Sequence, residues 1–220
     1  MNIVMITTLM RTKLLEQSLK SMFEGAVEPN QLHLTLVCDS GVRFDSVRYD
    51  TLIVNQFSIG ASASRNIGAS SIPKYKRQKH VCFLDDDVYM CPGWDKKIEA
   101  ALDWLHKCAI SGHAHPFNQS SNKYQNGKVG VESAGVLSTV NIACSWEMWD
   151  DVGYFIEPGG PGGSEDVEWC KRAVDKGYGL AVTDPQCIIH TGLASSSGKD
   201  IIGRDLFEVA DRIMEVELGQ

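Results

Sequence analysis

The chain predicts an α/β fold, with a mainly parallel central sheet flanked by helices in a single domain, and three observations carry that expectation. Short apolar runs alternate with segments of helical spacing through the first half, the pattern of strand-helix-strand units with right-handed crossovers. One apolar run, Val81-Cys82-Phe83-Leu84, ends in three consecutive carboxylates, Asp85, Asp86 and Asp87. Ligands of open α/β sheets bind just beyond the carboxyl ends of such strands. The 220 residues, 43% hydrophobic and 22% charged, suit one globular domain with a sizeable core.

The elements follow in order. Asn2–Thr7 is a short apolar strand. Thr12 can cap a helix whose apolar residues Leu14, Leu15, Leu19, Met22 and Phe23 fall at helical spacing, with Gly25 as its stop. His33–Cys38 is a second strand that ends at the turn signal Asp39-Ser40-Gly41, and Thr51–Val54 is a third. Residues 59–70 are rich in Ala, Ser and Gly and carry Arg65 and Asn66, which reads as a tightly packed helix. The strand 81–84 comes next, and after Pro92 an amphipathic helix is marked by Trp94, Ile98, Ala101, Leu102 and Leu105.

The second half reads differently. Residues 111–128 are polar and loop-like, and 136–144 look like a strand. Four of the five residues 159–163 are glycine, which marks a mobile or sharply turned loop. Ser164 then caps a helix from Glu165 to Lys176 that stops at Gly177. Residues 180–182 and 187–190 are short strands, and 205–218 read as a closing helix. Without an internal repeat, low-complexity tract or linker, residues 1–220 are expected to form one domain.

Bulk properties exclude some classes. A net charge of −7 argues against broad electrostatic binding of nucleic acid or anionic membrane. The local exception is the run from Lys74 to His80, with Lys76, Arg77 and Lys79 inside it, which suits a solvated loop or a local nucleic-acid contact. No apolar stretch approaches the roughly 18 residues of a membrane span, and the N-terminus lacks the basic region and cleavage site of a signal peptide. Seven cysteines, an odd number with no CxxC pair, fit reduced core thiols in a cytoplasm.

Three adjacent carboxylates at a strand end repel one another unless a cation neutralises them, and their oxygens suit Mg²⁺ or Mn²⁺, ions that also hold substrate phosphates. A solvated acidic turn is the plainer alternative. Glu165 and Asp166 occupy a first helical turn, where carboxylates are favoured by the macrodipole by about 0.3–1 kcal/mol. Behind a glycine loop, the same position suits a general base in a closed site. His190 ends an apolar run as Asp87 nearly does, and is either a hydrogen-bonded core residue or a metal ligand that favours Mn²⁺ over Ca²⁺. His113 and His115 could share one strand face, although Pro116 breaks that segment.

In chain order these pieces resemble the GT-A (Rossmann-like) glycosyltransferases, specifically the family-2-like inverting group. The matching segments are residues 3–8, Leu36-Val37-Cys38-Asp39, Gly60-Ala61-Ser62-Ala63-Ser64-Arg65-Asn66-Ile67-Gly68 and Phe83-Leu84-Asp85-Asp86-Asp87. Further on come Trp149-Asp150-Asp151-Val152-Gly153-Tyr154-Phe155, then Glu165-Asp166-Val167-Glu168-Trp169-Cys170-Lys171-Arg172-Ala173, Gly177-Tyr178 and His190. The resemblance spans roughly residues 3–192. It implies a nucleotide-binding half, 1–110, and an acceptor and catalytic half, 111–220. It also implies that Thr7, Asp39, Arg65, Asp85 and Asp86 contact the nucleotide-sugar, with Asp85 to Asp87 as the DXD motif. By the same likeness Asp87 and His190 bind Mn²⁺ or Mg²⁺, and Asp166 is the catalytic base with Glu165 beside it. Cys38 stands where the family often has a second carboxylate, which leaves the choice of base open. The Gln-x-x-Arg-Trp signature of processive members is absent, which implies transfer of one sugar.

The implied reaction moves one sugar from a nucleotide-sugar, UDP-linked in the first instance, to an acceptor hydroxyl with inversion. The acceptor is a saccharide or glycoconjugate, or else a hydroxylated base in DNA as in virus-type modification. No added acceptor domain is expected, so the loops 111–128 and 159–163 would form the acceptor walls, with Trp146 and Trp149 either stacking on it or packed inside. A nucleotidyltransferase is the rival enzyme, but residues 7–11, Thr-Thr-Leu-Met-Arg, lack the glycine-rich phosphate loop. A non-catalytic nucleotide-sugar-binding protein is the second rival.

Overall fold

The computed structural model describes residues 1–7, 12–39, 41, 47–113, 122–127, 129–156 and 165–191. His115, the glycine run 159–163, the Ser164 cap and the closing helix expected at 205–218 lie outside the described residues. The elements in order are β1 (Asn2–Thr7), α1 (Thr12–Gly25), β2 (His33–Cys38), β3 (Thr51–Val54), α2 (Ala61–Ser70), β4 (His80–Leu84), β5 (Val88–Met90) and α3 (Trp94–Trp104). Then follow β6 (Cys108–Ser111), β7 (Lys123–Asn126), β8 (Val129–Ser133), β9 (Asn141–Ser145), α4 (Trp146–Val152), α5 (Glu165–Asp175), β10 (Gly179–Asp184) and β11 (Ile188–His190).

Nine strands form one sheet in the order β3-β2-β1-β4-β9-β6-β10-β8-β7. The pairs β3–β2, β2–β1, β1–β4 and β6–β10 are parallel, whereas β9 is antiparallel to both of its neighbours and β8 to both of its own. Seven strands therefore run one way and only β8 and β9 run the other, so the expected mainly parallel sheet is present in a mixed form. A second, two-stranded sheet pairs β5 with β11, with His190 opposite Val88. This small sheet brings the end of the chain's last described strand back to the acidic motif.

The central strands of the parallel half are mostly apolar because both faces are covered. Ile3, Met5, Leu34 and Leu36 pack with α1 and α3 through Leu15, Met22, Trp94 and Ile98. Val4, Val37, Phe83 and Ile142 pack on the opposite side with α2, α4 and α5 through Ala69, Trp149 and Trp169. The second cluster holds an aromatic stack in which Phe83 lies 4.6 Å from Trp149 and 5.2 Å from Phe155 between ring centroids.

Several expectations need correction. The helix expected over 59–70 starts at Ala61, because Gly60 takes φ 88°, outside the helical region. The strand expected over 136–144 begins only at Asn141, after a turn in which the Asn141 N–H donates to the Ser138 carbonyl. The segment 111–128 is not all loop: Ser111 closes β6 and β7 lies within it. Trp146 and Trp149 are 6% and 2% exposed and belong to the core, so neither offers a face for an acceptor.

Gly68 sets how closely α2 approaches the sheet. A methyl group there would sit 2.5 Å from Val4 Cγ1 and 3.0 Å from Val37 Cγ2. Gly68→Ala is expected to destabilise the fold by about 1–3 kcal/mol through overpacking, despite the better helix propensity of Ala. Urea denaturation checks this, with a lower midpoint at unchanged slope as the expected result.

Candidate active site

β4 delivers Asp85, Asp86 and Asp87 to the carboxyl edge of the sheet, and neighbouring elements fix their geometry. The Asp85 N–H donates to the Val140 carbonyl just before β9, at 3.1 Å. Asp86 points inward, where its carboxylate accepts the Thr7 hydroxyl at 2.6 Å and both residues are buried. Thr7 and Asp86 are thus brought together, each engaging the other. From α1, the buried Ser18 hydroxyl lies 2.7 Å from the Asp86 carbonyl and 2.8 Å from that of Val88, and accepts the Val88 N–H. From the end of β11, Thr191 donates both its N–H and its hydroxyl to the Asp87 carbonyl, at 3.0 and 2.7 Å.

This framing leaves Asp87 facing His190, with Oδ1 and Nε2 3.3 Å apart. Two ligands bound at about 2.0–2.2 Å to one divalent ion, at roughly a right angle, stand about 3 Å apart. A carboxylate oxygen and an imidazole nitrogen are the donor set of a Mn²⁺-type site, so this pair fits such an ion. His113 lies beside His190, with ring centroids 5.8 Å apart. Among the described residues no group of three or more His, Cys, Asp or Glu closes a complete coordination shell, and an ion here would draw its further ligands from a phosphate and water. Burial pushes the Asp85 carboxyl above its ordinary value. Arg65 pulls it back without cancelling the rise, and Asp87 adds to it. A cation would relieve that strain.

Arg65 is the counter-charge. It projects from the second turn of α2, is only 2% exposed, and pairs through Nη2 with Asp85 and through Nη1 with Glu165 at 3.5 Å. Nη2 also approaches the Thr139 carbonyl at 3.4 Å, and the Thr139 hydroxyl donates to Glu165 at 3.3 Å. Among the described residues its Nε hydrogen meets no acceptor, and Nη1 faces Glu165 as an ion pair without hydrogen-bond geometry, an arrangement a ligand oxygen could complete. The adjacent Asn66 uses its amide as a two-point clamp, donating to the Phe155 carbonyl at 2.8 Å and accepting the Phe155 N–H at 3.0 Å.

Asp39, expected to contact the nucleotide, accepts four hydrogen bonds from within the chain. Its Oδ1 accepts the Ile59 N–H at 2.9 Å and the Asn55 amide at 3.1 Å, while Oδ2 accepts the Ser58 hydroxyl at 2.8 Å and the Gly60 N–H at 3.2 Å. It shapes the turn that starts α2 and is 4% exposed. Burial raises its pKa, but the bonds from Ile59, Ser58, Ser64 and Asn55 outweigh that and hold it below the ordinary carboxylate value.

Glu165 and Asp166 open α5, whose position is fixed from its far side. Arg172 pairs with Glu168 at 2.6 Å and donates to the Val152 and Tyr154 carbonyls, and the Trp169 indole donates to the Gly153 carbonyl at 2.9 Å. The two first-turn carboxylates differ: Glu165 turns to Arg65, whereas Asp166 accepts only the neighbouring Val167 N–H, at 2.8 Å, among the described residues.

The basic run lies elsewhere. Residues 74–79 precede β4, whereas the acidic motif follows it, so a five-residue strand, roughly 16 Å, separates them. Arg77 is paired with Asp150 at 2.7 Å and stacked 4.1 Å over the Trp146 ring, and Lys79 is paired with Asp103 at 2.6 Å.

Sequence reasoning missed Ser18, Thr139 and Thr191. Ser18 did leave a signal, since it interrupts the apolar stripe of its helix between Leu15 and Leu19. Thr139 and Thr191 act at a distance in sequence that no local pattern records.

No protein-family model and no curated protein matches this sequence. Solved structures do match. The chain superimposes on a structure of GalNAc-T7 with UDP, GalNAc and Mn²⁺ at a TM-score of 0.68 and 12% identity, covering 86% of this chain and 43% of that one. It also matches S. aureus TarS residues 1–349 in complex with UDP-GlcNAc at a TM-score of 0.62 and 15% identity, covering 82% of this chain and 55% of that one. The fold is therefore that of the GT-A glycosyltransferases. The chain spans about half the length of these neighbours.

Asp39 makes a specific acid-stability prediction. Its folded pKa lies below the ordinary 3.8, so its contribution is fully present above the unfolded value. That contribution is lost as pH falls through the depressed folded value. In Asp39→Asn the loss of stability below about pH 4 should be shallower, starting from a lower neutral-pH stability, as read by urea midpoints across pH.

Proposed function

We propose that this protein is a metal-dependent glycosyltransferase that moves one sugar from a nucleotide-sugar to an acceptor hydroxyl, with inversion. The observation that carries the reading is the convergence of Asp85, Asp87, His190 and Arg65 at the carboxyl edge of a GT-A sheet, with Asp166 on the adjoining helix. Two structural neighbours hold UDP or UDP-GlcNAc, and one holds Mn²⁺ as well, which supports a UDP-sugar and Mn²⁺ or Mg²⁺ here.

In this reading Asp87 and His190 hold the ion and Asp85 lies beside the donor. When bound, the ion supplies charge stabilisation to the departing nucleoside diphosphate. Arg65 contributes from the chain itself: its buried Nε hydrogen, which meets no acceptor among the described residues, suits a phosphate oxygen on which negative charge grows. Thr7, Asp86 and Ser18 hold the loop from beneath, and Asp39 shapes the turn ahead of Arg65. Asp166 takes the proton from the acceptor hydroxyl as that oxygen attacks the anomeric carbon, and one displacement inverts the centre. Its lone pairs are available for this because Glu165, not Asp166, turns to Arg65.

A saccharide or glycoconjugate is the favoured acceptor. The DNA acceptor rested on the basic run, which stands at the opposite end of β4 and whose Arg77 and Lys79 are already paired. The seven cysteines, all free thiols, support a reducing compartment such as the cytoplasm.

Two measurements test the reading. UDP titrated calorimetrically should bind in Mn²⁺ and lose most of its affinity in chelator or in Asp87→Ala; equal affinity in all three removes the metal assignment. Asp166→Asn should retain UDP binding and lower transfer by on the order of 10²–10⁴-fold, whereas near-normal turnover returns Asp166 to a helix-end carboxylate.

A further inference from the structure

We infer that Glu165 is a positioning residue for Arg65 and not a second base, and that Thr139 holds the two together; this rests on the function proposed above. The geometry comes first. Glu165 Oε1 stands 3.5 Å from Arg65 Nη1 and accepts the Thr139 hydroxyl at 3.3 Å, while the Thr139 carbonyl faces Arg65 Nη2 at 3.4 Å. Three elements thus meet on one guanidinium: α2 carries it, the acidic loop offers Asp85, and α5 offers Glu165.

Glu165 presents its oxygen to Arg65 and to the Thr139 hydroxyl, whereas Asp166 accepts only the neighbouring Val167 N–H among the described residues, so Asp166 is the carboxylate left open to an acceptor hydroxyl. The contact of Glu165 with Arg65 does something else. An arginine side chain has several rotatable bonds, and one carboxylate fixes one end of its planar fork. Glu165 stands at Nη1, and the Thr139 carbonyl shares Nη2 with Asp85, so both ends of the fork are held and the plane of the guanidinium is set before a diphosphate arrives. Preorganised donors of this kind act without reorganisation when charge develops. The pairing also joins the donor side to the helix that carries Asp166, one residue along.

The test separates positioning from catalysis. Wild type, Glu165→Gln, Thr139→Val and Asp166→Asn are compared for UDP binding with Mn²⁺ and for transfer kinetics. Glu165→Gln should weaken UDP binding and raise the donor KM by about tenfold, with a smaller fall in kcat, and Thr139→Val should do the same to a lesser degree. Asp166→Asn should show the opposite split. Glu165→Asp, which keeps the charge on a shorter arm, should recover part of the lost donor affinity. A fall in kcat in Glu165→Gln as large as that in Asp166→Asn, with donor KM unchanged, overturns the inference.

A second readout needs no activity. In urea denaturation, Glu165→Gln and Arg65→Lys should be non-additive, since the two side chains share one interaction. Additive losses overturn the positioning role. Wild type that binds no UDP while the two substitutions remain coupled sinks the glycosyltransferase reading and leaves the Glu165–Arg65 pairing standing.

Discussion

A single buried cation organises this molecule's carboxyl edge. Arg65 is 2% exposed, and a guanidinium removed from water is tolerated only when its charge is paired. Asp85 and Glu165 supply that charge from opposite sides. Each carboxylate meets the guanidinium at a different nitrogen, so the one cation ties the acidic loop to the first turn of α5.

Around that pair, neutral groups do the aiming. Ser18 and Thr191 engage carbonyl groups of the acidic loop, and Thr7 takes the middle carboxylate out of the way. The three aspartates consequently have three different surroundings. Asp85 faces a cation, Asp86 a buried hydroxyl, and Asp87 an imidazole. A run of identical side chains is resolved into separate roles by its neighbours, which is how burial and specific partners diversify one residue type.

Much of the architecture was legible in local pattern. The first three strands have the expected bounds because each is a short apolar run with clear polar ends. The acidic motif, Arg65 and His190 were also legible, since charged residues beside apolar runs stand out. Other features depend on tertiary pairing. β5 is three residues long and depends on its pairing with β11, and β7 is exposed along its whole length, with no apolar alternation to betray it. Asp39 has a structural part that local pattern did not show. Its place after a strand suggests a ligand contact, and its hydrogen bonds to residues 16 to 21 positions on come from tertiary folding alone. Trp146 and Trp149 were ambiguous in sequence, and the aromatic stack under α4 and α5 resolves them as core.

The close approach of α2 to the sheet has a bearing on reach. Arg65 and Gly68 share one face of the helix, three residues apart, and Gly68 lies directly on Val4 and Val37. The thickness of that contact therefore works as a gauge block beneath the guanidinium. Adding one methyl group would lift the helix, and the arginine with it, away from a carboxylate whose position is fixed independently by β4. The empty side chain of Gly68 and the bulk of Val4 are two halves of one measurement, so volume gained at one position must be given up at the other for the charge pair to keep its spacing.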